Sequence, residues 1–384
     1  MKARVIALYL PQFHPMSLND EWWGRGFTEW TNVAKAKPLF KGHYQPKIPA
    51  DLGFYDLRLA ETREEQAKLA REAGIEGFCY WHYWLGKGQT LLDRPFNEVL
   101  ASGRPDFPFC LGWANHDWSN ELWQKAKAFK KAKTMLKQTY VESEYIDHFN
   151  DVLPAFRDNR YIKVDGKPLF LIYNPFAISN VRIFINKWQA LARENGLKGI
   201  HFVGIVSNLS SISIGENGSS KFKIASLKET AAARYQQVID MGFDAVNSRG
   251  QYRAELAVKG YSNKYFYSLI RKLFNVNFLK VFDYRKIIKY LFVPEDRWEN
   301  VYPTILPNWD RSPRSGKEAN IYHNSTPENF RIHLKDALNL VKDKQDEHKI
   351  LFLMSWNEWG EGNYIEPDLK YGHGYLNVIK EQLE

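Results

Sequence analysis

The sequence predicts an α/β chain folded as a (β/α)8 TIM barrel, a single domain over 1–384, with long insertions in the loops after its strands. Three observations predict it. Eight short runs are apolar throughout and do not alternate, as strands buried on both faces require. Segments with apolar residues at helical spacing lie between them. The length of 384 residues suits one barrel with insertions. A doubly wound open sheet is the competitor, and it announces itself with a glycine-rich turn after the first strand. Here that strand runs into Pro11, Gln12, Phe13, His14 and Pro15, which cannot cradle a phosphate with backbone N–H groups.

The strands are expected at 4–10, 77–84, 107–115, 167–174, 200–207, 243–247, 302–308 and 350–356. Asp56 is placed to cap a helix over 58–73 that stops at Gly74. Further helices are expected over 142–157, over 181–195 before Gly196, and over 231–241 before Gly242. Thr326, with Pro327 at the first helical position, opens one that runs to about Lys344. Insertions interrupt the repeat at about 13–55, 116–140 and 250–300. The first is rich in tryptophan, which argues for an ordered, functional loop. The second holds a lysine-rich stretch over 121–137. The third mixes tyrosine, phenylalanine and basic residues over 259–300 and reads as a helical insertion. Serines over 207–220 read as a loop.

Lys and Arg number 53 against 44 Asp and Glu, a net charge of +9. With 44% hydrophobic residues, global disorder is excluded. No run of about 18 apolar residues exists, so a spanning helix is excluded. The apolar run at the start is too short for a cleavable secretion signal, and a cytoplasmic location is expected. Cys79 and Cys110 exclude a disulfide scaffold and a four-cysteine metal site, and both read as buried thiols. The basic stretches lie in insertions and carry no nucleic-acid reading motif, so no nucleic-acid partner is expected. The unusual counts are 13 Trp and 21 Tyr, many beside polar residues. Flat aromatic faces next to carboxylates and amides are what a site needs to stack on sugar rings.

The most informative stretch is 355–367, directly after the eighth strand, where a barrel builds its active-site face. It contains Trp356, Asn357, Glu358, Trp359, Gly360, Glu361, Gly362 and Glu366. On a helical turn Glu358 and Glu361 would be neighbours. Two buried carboxylates that close split their pKa values, giving one proton donor and one ionised group, as glycosidic chemistry requires. A helix N-terminus that favours acidic residues is the competing reading of a Glu-x-x-Glu pair. Glu366 reads equally well as a group that bonds its own loop.

Other strand ends supply a matching set: Tyr9, Gln12 and His14; Trp81, His82 and Tyr83; Trp113, Asn115 and His116; Tyr173; Asp310 and Arg314. Trp22, Trp30, Trp81, Tyr83, Trp113 and Trp356 are candidate stacking platforms, with Glu29 in the same first loop. Asn115, His116, Asn357, Asp310 and Arg314 are candidate hydroxyl binders. His82, His116 and Asp310 are legitimate metal ligands, but no tight ligand spacing appears. No metal or cofactor is expected.

The first-strand run IALYLPQFHP, the loop from NDEWWGRGFTEW to LGFYDLR, then GIEGFCYWHYW, FCLGWAN and SWNEWGEGNYIEPD resemble the WbsX-type family. That family is related to the glycoside hydrolase family 99 endo-α-mannosidases. The resemblance covers roughly 4–380. It implies a (β/α)8 barrel and retaining chemistry at a glycosidic bond. It places the two catalytic carboxylates on Glu358 and Glu361. Glu358 would act as base toward the sugar's own 2-hydroxyl, giving a 1,2-anhydro intermediate, and Glu361 as acid toward the leaving group, a route outside the usual two-carboxylate scheme. The chain departs from the family in having His116 and Asp117 where a Glu generally follows Trp-Ala-Asn. That departure bears on which sugar is bound.

The resemblance implies an oligosaccharide or polysaccharide substrate in O-antigen or capsule metabolism. WbsX-type proteins are commonly labelled glycosyltransferases. A lipid-linked acceptor would give the basic, aromatic insertion a membrane face, with peripheral association at the inner side. Three functions follow: a hydrolase-like enzyme acting on an α-linkage, a nucleotide-sugar-dependent transferase, and a carbohydrate-binding protein without turnover.

Overall fold

In the computed structural model, residues 2–119, 134–207, 230–259 and 279–384 are described. The lysine-rich stretch over 121–133, the serine loop over 208–220 and the insertion over 260–278 lie outside the described residues.

All eight expected strands form. They are β1 (Arg4–Tyr9), β2 (Gly77–Trp84), β3 (Phe109–Trp113), β4 (Lys167–Ile172), β5 (His201–Val206), β6 (Ala245–Ser248), β7 (Val301–Ile305) and β8 (Ile350–Leu353). Each pairs in parallel with its neighbours in sequence, and β1 pairs with both β2 and β8, so the sheet closes into a (β/α)8 barrel. The unbroken apolar runs follow from this closure: one face of each strand fills the barrel and the other lies under helices. Every residue of β8 is fully buried. Cys79 and Cys110 are register partners on β2 and β3, both buried and unbridged.

Two helices, α1 (Ser17–Trp23) and α2 (Glu29–Lys35), lie within the first insertion. Outer helices include α3 (Ala60–Glu72), α4 (Arg94–Ser102), α5 (Tyr145–Phe156), α6 (Val181–Glu194), α7 (Ala231–Asp240), α8 (Gln251–Lys259), α9 (Pro327–Val341) and α10 (Gly374–Leu383). The Thr326 hydroxyl caps α9 by accepting the Asn329 N–H. Asp56 caps nothing. It accepts the Arg58 N–H and pairs with the Arg58 guanidinium, and α3 starts only at Ala60. The third insertion is not purely helical. Lys280–Asp283 forms a strand parallel to Asn320–His323, with Phe282 buried against Tyr322. Among the described residues no helix is long and apolar enough to cross a membrane.

Candidate active site

Beyond β8 the chain makes a narrow antiparallel ladder, Asn357–Glu358 against Asn363–Tyr364. A 3-10 turn, Trp359–Glu361, closes it. The sequence reading places the acidic pair on a helical turn, whereas Glu358 ends the ladder at φ −84°, ψ 67° and only Glu361 lies in the 3-10 turn. Two glycines make the turn possible. A Cβ at Gly360 would collide with the Glu29 carboxylate, and Gly362 sits at φ +54° against Asp310 and Lys47.

Both glutamates reach one guanidinium. Arg314, on a four-residue helical turn beyond β7 (Ser312–Ser315), sets Nη1 2.7 Å from Glu361 Oε1 and 3.1 Å from Glu358 Oε1. Its Nε and Nη2 donate to the two oxygens of Glu29 at 3.0 and 3.1 Å. Glu29 is fully buried at the start of α2, so the first insertion is fastened to the site by a bidentate pair. Arg311 Nε adds a second cation 3.0 Å from Glu361 Oε1.

The two carboxyls are driven apart. Burial pushes Glu361 up, but Arg311 and Arg314 outweigh it and hold the group below its usual range. Burial, then the Glu361 charge, pushes Glu358 up to about 7, with Arg314 only partly offsetting them. Of the two, Glu358 is therefore the group that keeps its proton to higher pH. This order is the reverse of the one that the resemblance gives the working pair.

The pair opens onto a cavity of 640 Å³ at the C-terminal end of the barrel. Trp81, Tyr83, His116 and Tyr173 line it, as do Arg249, Arg311 and Arg314. Trp81 and Tyr173 meet edge to face at 5.8 Å. His116 Nδ1 lies 3.0 Å from the Asp117 carbonyl, and burial pushes the imidazole below its usual pKa. Asp117 accepts the Gln138 N–H at 2.8 Å. Asp117 is not among the lining residues, so a neutral imidazole fronts the cavity at the end of β3.

Several expected site residues hold the barrel mouth together and do not line the cavity. Asn357 accepts the Leu10 N–H at 2.8 Å and donates to the Leu10 carbonyl at 3.0 Å, tying the end of β8 to β1. Asn115 makes the same double bond to the backbone of Asn174 at 2.7 and 2.8 Å, tying β3 to β4. A side-chain amide replaces a peptide unit here, which extends strand pairing where the strands splay. Asp310 accepts from Gln45 Nε2 at 2.7 Å and lies 2.8 Å from His43 Nε2. It anchors the first insertion.

Trp30, Trp113 and Trp356 are core side chains, at 8%, 1% and 0% exposure. Trp30 and Trp113 spend their indole N–H on the carbonyls of Tyr55 and Trp84. Trp22 packs in a side cluster with Phe27, Tyr83 and Trp118. Tyr9 donates to Gln66, and Gln12 and His14 are buried away from the cavity wall. His82 lies 3.0 Å from His148, where burial pushes it down to about 4. Among the described residues His82, His116 and Asp310 form no metal-ligating group. Glu366 is 2% exposed and accepts from Trp359 Nε1 at 2.6 Å, Gln66 Nε2 at 2.6 Å and the Tyr55 hydroxyl at 2.9 Å.

The sequence reading misses Arg249 among other cavity residues, and it meets Arg311 at the end of the seventh strand and Asn363 in the acidic motif without choosing either as a binder. Arg249 stands one residue past β6, and the strand-end rule would find it had the sixth strand been given its final residue. Arg311 directly follows the chosen Asp310. Asn363 lies inside the acidic motif, lines the cavity, and leaves both amide atoms buried without a hydrogen-bond partner.

Two uncharacterized WxcX proteins of Xanthomonas campestris pv. campestris, from strains B100 and ATCC 33913, are 32% and 31% identical over 385 aligned residues. The match covers all of this chain and 50% of each relative, so the chain spans about half their length. Among solved structures, a protein described as glycoside hydrolase-like superposes with a TM-score of 0.61 at 18% identity, over 100% of this chain and 94% of the other. The GH99 endo-alpha-mannosidase of Bacteroides thetaiotaomicron gives 0.54 at 13% identity, over 100% and 96%. These likenesses are of fold. The family model for the glycosyltransferase WbsX matches residues 5–379, and the chain belongs to that family.

Proposed function

We propose that this chain is a carbohydrate-active enzyme that cleaves or transfers an α-glycosidic linkage with retention, Glu358 and Glu361 being its acid–base pair. One observation carries the reading: two carboxyls share one guanidinium, Arg314, at the wall of an aromatic-lined cavity. The family supports the class of chemistry. The mannosidase likeness supports an α-linked, manno-type substrate, and a surface polysaccharide or lipid-linked glycan is the natural setting for a WbsX protein.

With Glu361 as donor and Glu358 as base, the working state is the minor protonation state of the resting site. Substrate must invert the pair. A sugar oxygen seated against Glu361 does so by displacing Arg311, whose side chain is 36% exposed, while Arg314 stays locked on Glu29. Glu361 then gains a proton as Glu358 loses one. The leaving group decides this assignment. A glycosyl fluoride needs no protonation on departure, so it restores turnover to the variant that lacks the donor. Rescue of Glu361→Gln and not of Glu358→Gln supports the order given, and the opposite pattern reverses it.

The reaction itself is tested by incubating α-linked manno-oligosaccharides in oxygen-18 water. Label in the product means hydrolysis, and a longer unlabelled product means transfer. No product with any α-linked glycan or glycosyl fluoride removes the enzymatic reading. The family name favours a second reading, transfer from a sugar nucleotide. It requires calorimetric binding of such a donor, and absence of heat with the common donors rejects it.

A further inference from the structure

Three guanidiniums line the cavity, and they are not alike. Arg311 and Arg314 each lie within 3.1 Å of a carboxylate. Arg249 has no carboxylate within 4.0 Å among the described residues. Its side chain makes one long hydrogen bond, Nε to Asn247 Oδ1 at 3.3 Å. Its Nη2 is buried without a hydrogen-bond partner. The guanidinium stands 5.9 Å from the ring centres of both Trp81 and Tyr173, which also line the cavity. Those contacts are with ring faces and leave the Nη2 donor unused.

A buried guanidinium without an anion is costly, and an unfilled donor adds to the cost. The group is also misplaced for a purely structural role, because it fronts the cavity that holds the acidic pair. The Glu358 and Glu361 carboxyls are near enough to act on it through space, yet Glu361 is already committed to two other arginines. Planar guanidinium with two free edge donors fits a planar oxyanion best.

We infer that Arg249, flanked by Trp81 and Tyr173, is a specificity-determining residue that receives an oxyanion carried on a sugar ring. The inference rests on the cavity's being a carbohydrate site, as proposed above. It adds that the sugar in this subsite is acidic. A uronate carboxylate and a sugar phosphate offer the same chemistry to Arg249, and the experiment separates them.

Binding is read by calorimetry and by tryptophan fluorescence, using glucuronate against glucose, galacturonate against galactose, mannuronate against mannose, and mannose 6-phosphate. The wild-type protein is expected to bind at least one acidic sugar tenfold or more tightly than its neutral counterpart. Arg249→Gln is expected to abolish that preference and Arg249→Lys to retain part of it. Circular dichroism shows that each variant is folded. Preference for a uronate assigns a carboxylate, and preference for the phosphate alone assigns a phosphoryl group. Equal binding of charged and neutral sugars by wild type, or a preference unchanged in Arg249→Gln, overturns the inference. These arms need no turnover. A charge preference without any product defeats the enzymatic reading and keeps this one, whereas turnover of neutral glycans with no charge preference does the reverse.

Discussion

Glu358 and Glu366 lie eight residues apart in one motif, and burial pushes both up to about 7. Their surroundings differ in kind. Glu358 faces a cavity and meets one guanidinium that it shares with two other carboxylates. Glu366 is closed in by an indole, an amide and a phenol, all neutral donors, and lines no described cavity. A displaced pKa alone therefore does not mark a catalytic group. Access to a ligand, and a neighbour that can move the proton, make the distinction.

The comparison breaks first on turnover. Glu358→Gln and Glu361→Gln should each lower it by about 10²–10⁴-fold with sugar binding retained. Glu366→Gln should leave it within a few-fold. Equal losses at all three positions, measured on folded protein, would erase the distinction. The pH profile cannot assign the donor, because either order of the pair gives a bell whose alkaline limb lies near pH 7. A profile flat between pH 5 and 8 would nonetheless exclude Glu358 from the rate law.

Arg314 is the next lever. Replacing it by Met leaves Glu29 buried with no cation, which should cost about 3–5 kcal/mol in urea unfolding. The double variant Arg314→Met, Glu29→Gln should recover most of that stability and none of the turnover. Recovery of both would make Arg314 a fastener of the first insertion and nothing more. Below that comes Glu366→Gln, where one acceptor oxygen becomes a donor facing donors. A loss of about 1–3 kcal/mol is expected, without change in sugar affinity.

The barrel was legible because its signal is local. Each strand needs only a short apolar run, and β8 is buried at every position. The acidic pair was legible because it directly follows a strand. The asparagines misled for a physical reason. An amide that ties two backbones and an amide that binds a hydroxyl look identical in sequence, and Asn115 and Asn357 do the former. Trp30, Trp113 and Trp356 misled likewise, since an indole beside polar residues suits both a sugar platform and a core position with one N–H to place. The clamp of Glu29 on Arg314 joins residues 285 apart, and nothing local to either announces it.

The smallest effect separates the two carboxyls by thermodynamics alone. Each is held near 7 in the fold, whereas in the unfolded chain it titrates near the ordinary glutamate value of about 4.3. Between those limits the native state keeps a proton that the unfolded state has released. Stability is therefore full below about pH 4.3 and falls as pH rises toward 7, by about 1.4 kcal/mol per pH unit for each group. Asp310 and Glu361, both held low, act in the opposite sense only in more acid solution, but buried histidines such as His82 and His201, pushed down to about 4, add an opposite slope up to about pH 6.5, so each glutamate's share is read as the difference between wild type and its Gln variant. Glu358→Gln and Glu366→Gln should each remove one proton's slope from urea-derived stability between about pH 5 and 7. A ligand distinguishes them. Saturating substrate analogue should remove one proton's share of the wild-type slope by displacing the Glu358 proton and should leave the slope of Glu358→Gln unchanged.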